Sequence, residues 1–292
     1  MKTRTNLLVS VLFVLVAPFI AFADDPAEDL FLDAAGVLLR YTDQGAGDPI
    51  VLVHGFTSSI ESNWGANGII DRLKADFRVI ALDARGHGKS GKPHDPAAYG
   101  ARMAEDVVSL LDHLKIDKAH VVGYSMGGFI TLKLLTLHPE RLLSAVLGGA
   151  GWNEPGTEPS MIELAESLEQ GNGISPLIKA LTPTGQPLPS DEQLEMINAM
   201  VLATNDPLAL AAVIRGMDGL QVERAELAAT EVPILAVIGE IDPLRATVDR
   251  LKEVVPAVEI VVLEGRDHMT ATADPRLVES IRDFFIRLCQ CA

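Results

Sequence analysis

The sequence predicts an α/β fold: a mostly parallel central sheet flanked by helices, with a helical cap inserted after the sixth strand. Three observations lead there. Short, continuous, β-branched apolar runs alternate with segments of helical periodicity, the pattern of strands buried on both faces and joined by crossover helices. A stretch from Trp152 to about Gly219 breaks that rhythm with several short helical segments and no convincing strand. The segment Gly123-Tyr124-Ser125-Met126-Gly127 sets small residues around a serine where a strand turns abruptly into a helix.

Taken in order, the chain opens with Lys2 and Arg4, an apolar run from Leu7 to Phe22, and Ala21-Phe22-Ala23 before the acidic pair Asp24-Asp25. A positive start, an apolar stretch and small residues at the cleavage positions are the marks of an export signal. Residues 1–23 are therefore expected to be removed, sending the protein to the periplasm or outside the cell with no stable membrane insertion. Leu38 to Asp43 reads as an early strand before the Gly45-Ala46-Gly47-Asp48-Pro49 turn, and Ile50 to Val53 as a fully buried one. Trp64 to Lys74 has helical spacing, and Phe77 to Leu82 is again strand-like. Ala101 to Leu114 is a clearer helix, with Met103, Val107, Leu110, Leu111 and Leu114 on one side. His120 to Val122 is the strand before Ser125, Gly128 to Leu135 the apolar stretch after it, and Leu143 to Leu147 the next strand.

Met161 to Leu168, Pro176 to Leu181, Glu192 to Leu202 and Leu208 to Met217 read as short helices, broken by Gly171-Asn172-Gly173 and by Pro183 to Pro189. Several broken helices exceed what one crossover requires, so 152–219 is expected to be a cap over the sheet's carboxyl end. The strand rhythm resumes at Ile234 to Ile238 and Val258 to Leu263, with Val248 to Val255 helical between them and Pro275 to Leu288 as the closing helix. The core is thus expected in two parts, 24–151 and 220–292.

Composition narrows the function. The formal net charge of −16 repels nucleic acid and anionic lipid, and no cluster of Lys or Arg overrides it. The Asp83 to Gly91 segment is glycine-rich but lacks phosphate-loop spacing. No GxGxxG stands at the first strand-to-helix junction, and the seven histidines include no HExxH. No metal or organic cofactor is expected. Cys289 and Cys291 are one residue apart, poor spacing for pairing with each other, and are expected to be free thiols on a frayed tail. The default oligomeric expectation is a monomer.

The chemistry-bearing residues each lie just beyond the carboxyl end of a predicted strand, where open parallel sheets gather their sites. Ser125 is the candidate nucleophile. A serine hydroxyl is weak alone and needs a base within reach; His268, in the loop Glu264 to His268, is the candidate. Asp242, after the strand ending at Ile238, would fix the histidine tautomer, with Glu240 and Asp267 as nearby rivals. His54-Gly55-Phe56 follows the strand Ile50 to Val53. The backbone amides of Phe56 and Met126 are placed to receive an oxyanion, His54 to brace the loop, and the side chains of Phe56, Met126 and Trp152 to line substrate space. Of Met161, Leu164, Ile197, Met200, Leu208, Val213 and Met217 on the cap, most should be core and some should reach the cavity. No Arg clamp is evident, though Arg215 is available.

With these residues in hand, the chain strongly resembles the α/β-hydrolase fold family, particularly its capped bacterial serine esterase-like members, from about Phe31 to Leu288. The resemblance implies Ser125 as nucleophile, His268 as base, Asp242 as orienting acid, and Phe56 and Met126 as oxyanion donors. Haloalkane dehalogenases and epoxide hydrolases of the family place aspartate at the elbow, so Ser125 argues against both. Gly55-Phe56-Thr57 also departs from the multi-glycine loop of one lipase and esterase subgroup. The expected function is an exported carboxylic ester hydrolase acting through an acyl-enzyme on a small to medium, moderately apolar substrate. The alternatives are a carbon–carbon bond hydrolase or cofactor-free peroxidase of the same fold, and, further off, an inactive binding module.

Overall fold

A computed structural model describes residues 27–157 and 161–291, the side chain of Cys291 excepted; the expected export signal lies outside them. The eight strands are β1 (Leu30–Ala34), β2 (Val37–Gly45), β3 (Pro49–Val53), β4 (Arg78–Leu82), β5 (Ala119–Tyr124), β6 (Leu142–Gly148), β7 (Ile234–Gly239) and β8 (Glu259–Leu263). They form one sheet in the order β1-β2-β4-β3-β5-β6-β7-β8. The β1–β2 and β2–β4 pairs are antiparallel and every other pair is parallel. β1, which periodicity did not single out, makes the strand before the cap the sixth.

Burial on both faces follows from the apolar runs. In β3, Val51 and Val53 join one core cluster while Ile50 and Leu52 join the other, on the opposite face. The first face is covered by α2 (Ala101–His113), α3 (Met126–Leu137) and α9 (Arg245–Val254), the second by α1 (Ile69–Leu73) and α10 (Pro275–Cys291). α2 buries Met103, Val107, Leu110 and Leu111, as its spacing predicted. α3 buries residues nearly all round, which is why its sequence is apolar without a polar stripe. The segment expected as one helix over Trp64 to Lys74 is divided. A wide turn at Ile60–Gly65 precedes α1, and Gly68 between them holds φ +65°, a left-handed conformation that stops helix propagation.

Between β6 and β7 lie α4 (Ile162–Glu169), α5 (Ser175–Leu181), α6 (Asp191–Thr204), α7 (Pro207–Gly216) and α8 (Arg224–Ala228). Leu164, Ala165, Leu168, Ile174, Val201, Leu210, Ala211 and Ile214 give this segment its own small core. Helical structure continues past Gly219 to Ala228, because Leu220, Val222 and Leu227 pack back onto the main core. Among the described residues, no single helix is long and apolar enough to cross a membrane.

One buried ion pair locks the loop after β4 to α2. Arg85 Nε donates to Asp106 Oδ2 at 2.6 Å, Arg85 Nη2 to Asp106 Oδ1, and Arg85 Nη1 to the Ala98 carbonyl at 2.6 Å. Both residues are almost fully buried, and that burial raises the Asp106 pKa to about 6 despite the guanidinium beside it. Arg85→Met strands the carboxylate and is expected to cost about 3–5 kcal/mol in urea denaturation at neutral pH. Arg85→Met combined with Asp106→Leu should recover much of that loss. A single-variant cost below about 1 kcal/mol, the ceiling for an exposed pair, would show the pair to be solvated.

Candidate active site

Ser125 stands between β5 and α3 at φ +52° and ψ −115°, an uncommon conformation for a residue with a side chain. The glycines around it are sterically required. A Cβ on Gly123 would sit 1.9 Å from the Gly127 carbonyl oxygen, and one on Gly127 would sit 2.0 Å from the Val53 carbonyl oxygen. The strand can cross the helix start this closely only without those side chains.

The loops after β7 and β8 bring the predicted partners to the serine. His268 Nε2 lies 2.9 Å from Ser125 Oγ, and His268 Nδ1 lies 2.9 Å from Asp242 Oδ2. Asp242 Oδ1 accepts from the Leu244 amide at 2.8 Å, which fixes the carboxylate plane. Both Asp242 and His268 are 3% exposed. The rivals are engaged elsewhere: Glu240 accepts from the Gly265 amide at 2.8 Å, and Asp267 accepts from the Thr270 amide at 2.8 Å and its hydroxyl at 2.7 Å. A serine hydroxyl hydrogen-bonded to an imidazole whose far nitrogen meets a carboxylate can lose its proton to that imidazole as it attacks an electrophile.

The loop after β3 runs beside the serine: a Cβ on Gly55 would lie 3.4 Å from Ser125 Cβ. The Gly55 amide donates to Asn63 Oδ1 at 2.9 Å, and Thr57 holds φ +61°. Among the described residues the Phe56 amide has no acceptor. The Met126 amide, at the first position of α3, has no carbonyl one turn back to pair with. His54 is fully buried, with Nδ1 2.8 Å from the Gly55 carbonyl and Nε2 accepting from the Ala84 amide at 3.1 Å. That geometry fits a neutral, bracing imidazole, and burial lowers its pKa. Asp83 ties the same layer together. Its Oδ1 accepts from the Ile60 amide and its Oδ2 from the Lys89 amide, both at 2.8 Å.

The predicted substrate-lining residues fall in different places. Phe56 is half-buried, edge-on to His87 with ring centroids 5.6 Å apart, and packs against both the main core and the cap core. Met126 is buried in the main core. Trp152 is 1% exposed, donates its indole N–H to the Val222 carbonyl at 2.8 Å, and carries Arg224 over its ring at 4.9 Å. It lines a small, open cleft with Phe129, Asn153 and Met217, at the cap's base; Ser125, Asp242 and His268 do not line that cleft. On the cap, Leu164 and Val213 are core, Met161, Ile197 and Met217 pack against core, and Met200 and Leu208 are exposed. Arg215 is occupied by Glu169, at 2.7 and 2.9 Å. The cap meets the site loops where Asn205 Nδ2 donates to the Thr57 carbonyl at 3.4 Å and where His94 pairs with Asp206 at 2.9 Å.

Sequence reasoning missed two supporting groups. Tyr124 donates its hydroxyl to the His268 carbonyl, and Asn63 holds Gly55. Tyr124 lies between Gly123 and Ser125 in the elbow motif, but its partner is 144 residues away. Asn63 lies outside any motif.

His87 offers a test of this buried layer. It is fully buried with Nε2 unpartnered, and burial lowers its pKa to about 3. A histidine with a depressed folded-state value contributes stability that is complete above its unfolded pKa of about 6.5 and is lost as pH falls toward about 3. Replacing it by His87→Gln should make the acid-side fall in the urea midpoint over that window shallower by one proton's worth. An unchanged pH slope would mean that His87 is protonated in the folded protein.

Residues 48–172 match a family model described as the alpha/beta hydrolase fold. The chain is 32% identical over 227 residues to a 2-hydroxy-6-oxo-6-(2'-aminophenyl)hexa-2,4-dienoic acid hydrolase of Metapseudomonas resinovorans, covering 73% of this chain and 74% of that one. It is 42% identical over 125 residues to a dihydrolipoyllysine-residue acetyltransferase component of an acetoin cleaving system from Pseudomonas putida, covering 42% of this chain but spanning only 33% of that relative's length. Among solved structures, a thermophilic esterase from Thermogutta terrifontis superposes with a TM-score of 0.72 at 26% identity, over 90% of this chain and 99% of that one.

Proposed function

The chain belongs to the alpha/beta hydrolase fold family, and we propose that it is a serine hydrolase that cleaves carboxylic esters through an acyl-enzyme. The observation that carries this reading is the chain of two 2.9 Å hydrogen bonds from Ser125 through His268 to Asp242. Ser125 Oγ attacks the acyl carbon as His268 Nε2 takes its proton. The amides of Phe56 and Met126 receive the developing oxyanion; losing one such donor typically costs about 3 kcal/mol of transition-state stabilisation. Collapse of the tetrahedral intermediate breaks the bond to the alcohol, which leaves with the proton from His268. Water, deprotonated by the same nitrogen, then releases the acid and regenerates Ser125. The apolar cap residues support an acyl or alcohol group that is small to medium and moderately apolar.

Labelling with a fluorophosphonate tests the nucleophile. Wild-type protein should be modified at Ser125 and the Ser125→Ala variant should not. Absence of labelling in folded wild-type protein, repeated with a smaller serine inhibitor, would sink the reading.

The relative from Metapseudomonas resinovorans favours a second reading, hydrolysis of a carbon–carbon bond in a ring-cleavage dienoate. A kcat/KM for such a substrate well above that for aryl esters would select it. The expected export of the chain stands on residues 1–23 alone. It predicts a mature amino terminus at Asp24 in protein recovered outside the cytoplasm, and retention of Met1 there would overturn it.

A further inference from the structure

At the amino ends of the strands, opposite Ser125, three side chains with metal-ligand chemistry converge. Asp48 immediately precedes β3, His120 is the second residue of β5, and Cys289 lies in the last turn of α10. One carboxylate oxygen, one imidazole nitrogen and the sulfur lie within 4.8 Å of one another.

The histidine is the informative member. It is 2% exposed, and its ring stacks on Phe285 at 4.3 Å between centroids, which fixes the ring plane. Nδ1 lies 2.7 Å from the hydroxyl of fully buried Ser144. Nε2 is buried and has no partner. Buried polar atoms are nearly always paired, so a rigidly held ring with one satisfied and one vacant nitrogen calls for a ligand at the vacant one. The arrangement is the one that metal-binding histidines show: the far nitrogen is held by an outer partner, and the near one presents its lone pair.

The other two members fit that role. Cys289 Sγ donates to Asp48 Oδ2 at 3.1 Å, so a single thiol proton holds sulfur and carboxylate together. A divalent cation would take that proton's place, forming a metal–sulfur bond and releasing the proton to solvent. We propose that Asp48, His120 and Cys289 bind a zinc ion, with water as the fourth ligand. A mixed sulfur, nitrogen and oxygen set suits zinc better than the hard cations, which take oxygen ligands. Ligand atoms around tetrahedral zinc stand about 3.5 Å apart, so the wider separations in the site close by up to about 1 Å. Asp48 and Cys289 are exposed and can make that movement while His120 stays fixed. The bound ion would fasten the end of α10 to the base of β3 and β5.

Cobalt is the probe. The reduced, purified chain carrying Cys291→Ser, so that Cys289 is its single thiol, is titrated with Co²⁺. The site predicts a near-ultraviolet sulfur-to-cobalt charge-transfer band, displaced stoichiometrically by Zn²⁺. Cys289→Ser removes the band. Asp48→Asn, on an exposed turn, and His120→Gln each weaken Co²⁺ binding by at least about 100-fold, the upper end of what even an outer partner contributes. Asp48→Asn keeps the test sound if His120→Gln does not fold. Absence of the band overturns the proposal. So does a band whose affinity is unchanged in Asp48→Asn, which would mean that the thiol binds metal without the site.

Discussion

Turnover of a short-chain aryl ester by Ser125→Ala is expected to fall roughly 10⁶-fold in kcat, about 8 kcal/mol of transition-state stabilisation, with KM little changed. The size follows from what the substitution removes. The nucleophile is lost, and His268 keeps no hydroxyl to deprotonate, so the covalent route closes altogether. What survives is the binding of the ester and the Phe56 and Met126 amides, which in comparable sites leave roughly 10³–10⁴-fold catalysis over water. The variant should remain folded. Ser125 makes no side-chain cap to α3, and alanine bears the positive φ of this position no worse than serine does. Steady-state kinetics with a burst titration of the wild type read the effect directly. A drop of less than about 10-fold would remove Ser125 from the reaction.

The reason this site could be read before the fold was known is local. The elbow needs glycine at 123 and 127 because the chain crosses itself there, so its geometry is written into five consecutive residues. Asp242 and His268 were found by position, each after an apolar strand run. Their mutual contact depends on β7 and β8 lying side by side, which follows from strand order rather than composition. The groups that escaped notice act across long sequence gaps: Asn63 on Gly55 and Tyr124 on the His268 carbonyl.

Elements were lost for similar reasons. β1, Leu30 to Ala34, is a five-residue edge strand with alternate residues exposed, and it pairs with β2 alone. The helix expected over Trp64 to Lys74 kept its apolar spacing but not its continuity, because Gly68 turns the chain left-handed inside it. Trp152 stands where the cap begins, and its indole N–H reaches Val222, a partner 70 residues away that no local pattern announces. Past Gly219 the chain stays helical to Ala228, with Leu220, Val222 and Leu227 packed on the main core.

Asp242→Asn is expected to lower kcat/KM about 10⁴-fold at neutral pH while leaving the fold intact. Two donors share the Asp242 carboxylate. Oδ1 accepts from the Leu244 amide at 2.8 Å and Oδ2 faces His268 Nδ1 at 2.9 Å. An asparagine has one acceptor oxygen for these two positions. The Leu244 N–H cannot turn, so the oxygen goes there and the NH₂ group meets His268. His268 Nδ1 must then accept, which places the ring proton on Nε2, the nitrogen that should take the Ser125 proton. The imidazole stays in place, 2.9 Å from Ser125 Oγ, but in the tautomer that cannot act as a base. Fluorophosphonate labelling should slow in parallel with turnover, because both need the same deprotonation. Asp242→Ala imposes no tautomer and should be no worse than Asp242→Asn. Glu240→Gln and Asp267→Asn, whose carboxylates brace backbone turns and make no hydrogen bond to the imidazole, should each cost less than about 10-fold, or about 1.4 kcal/mol. If Asp267→Asn proved the more damaging change, the orienting carboxylate would be Asp267, and the hydrogen-bond chain assigned to Asp242 would be wrong.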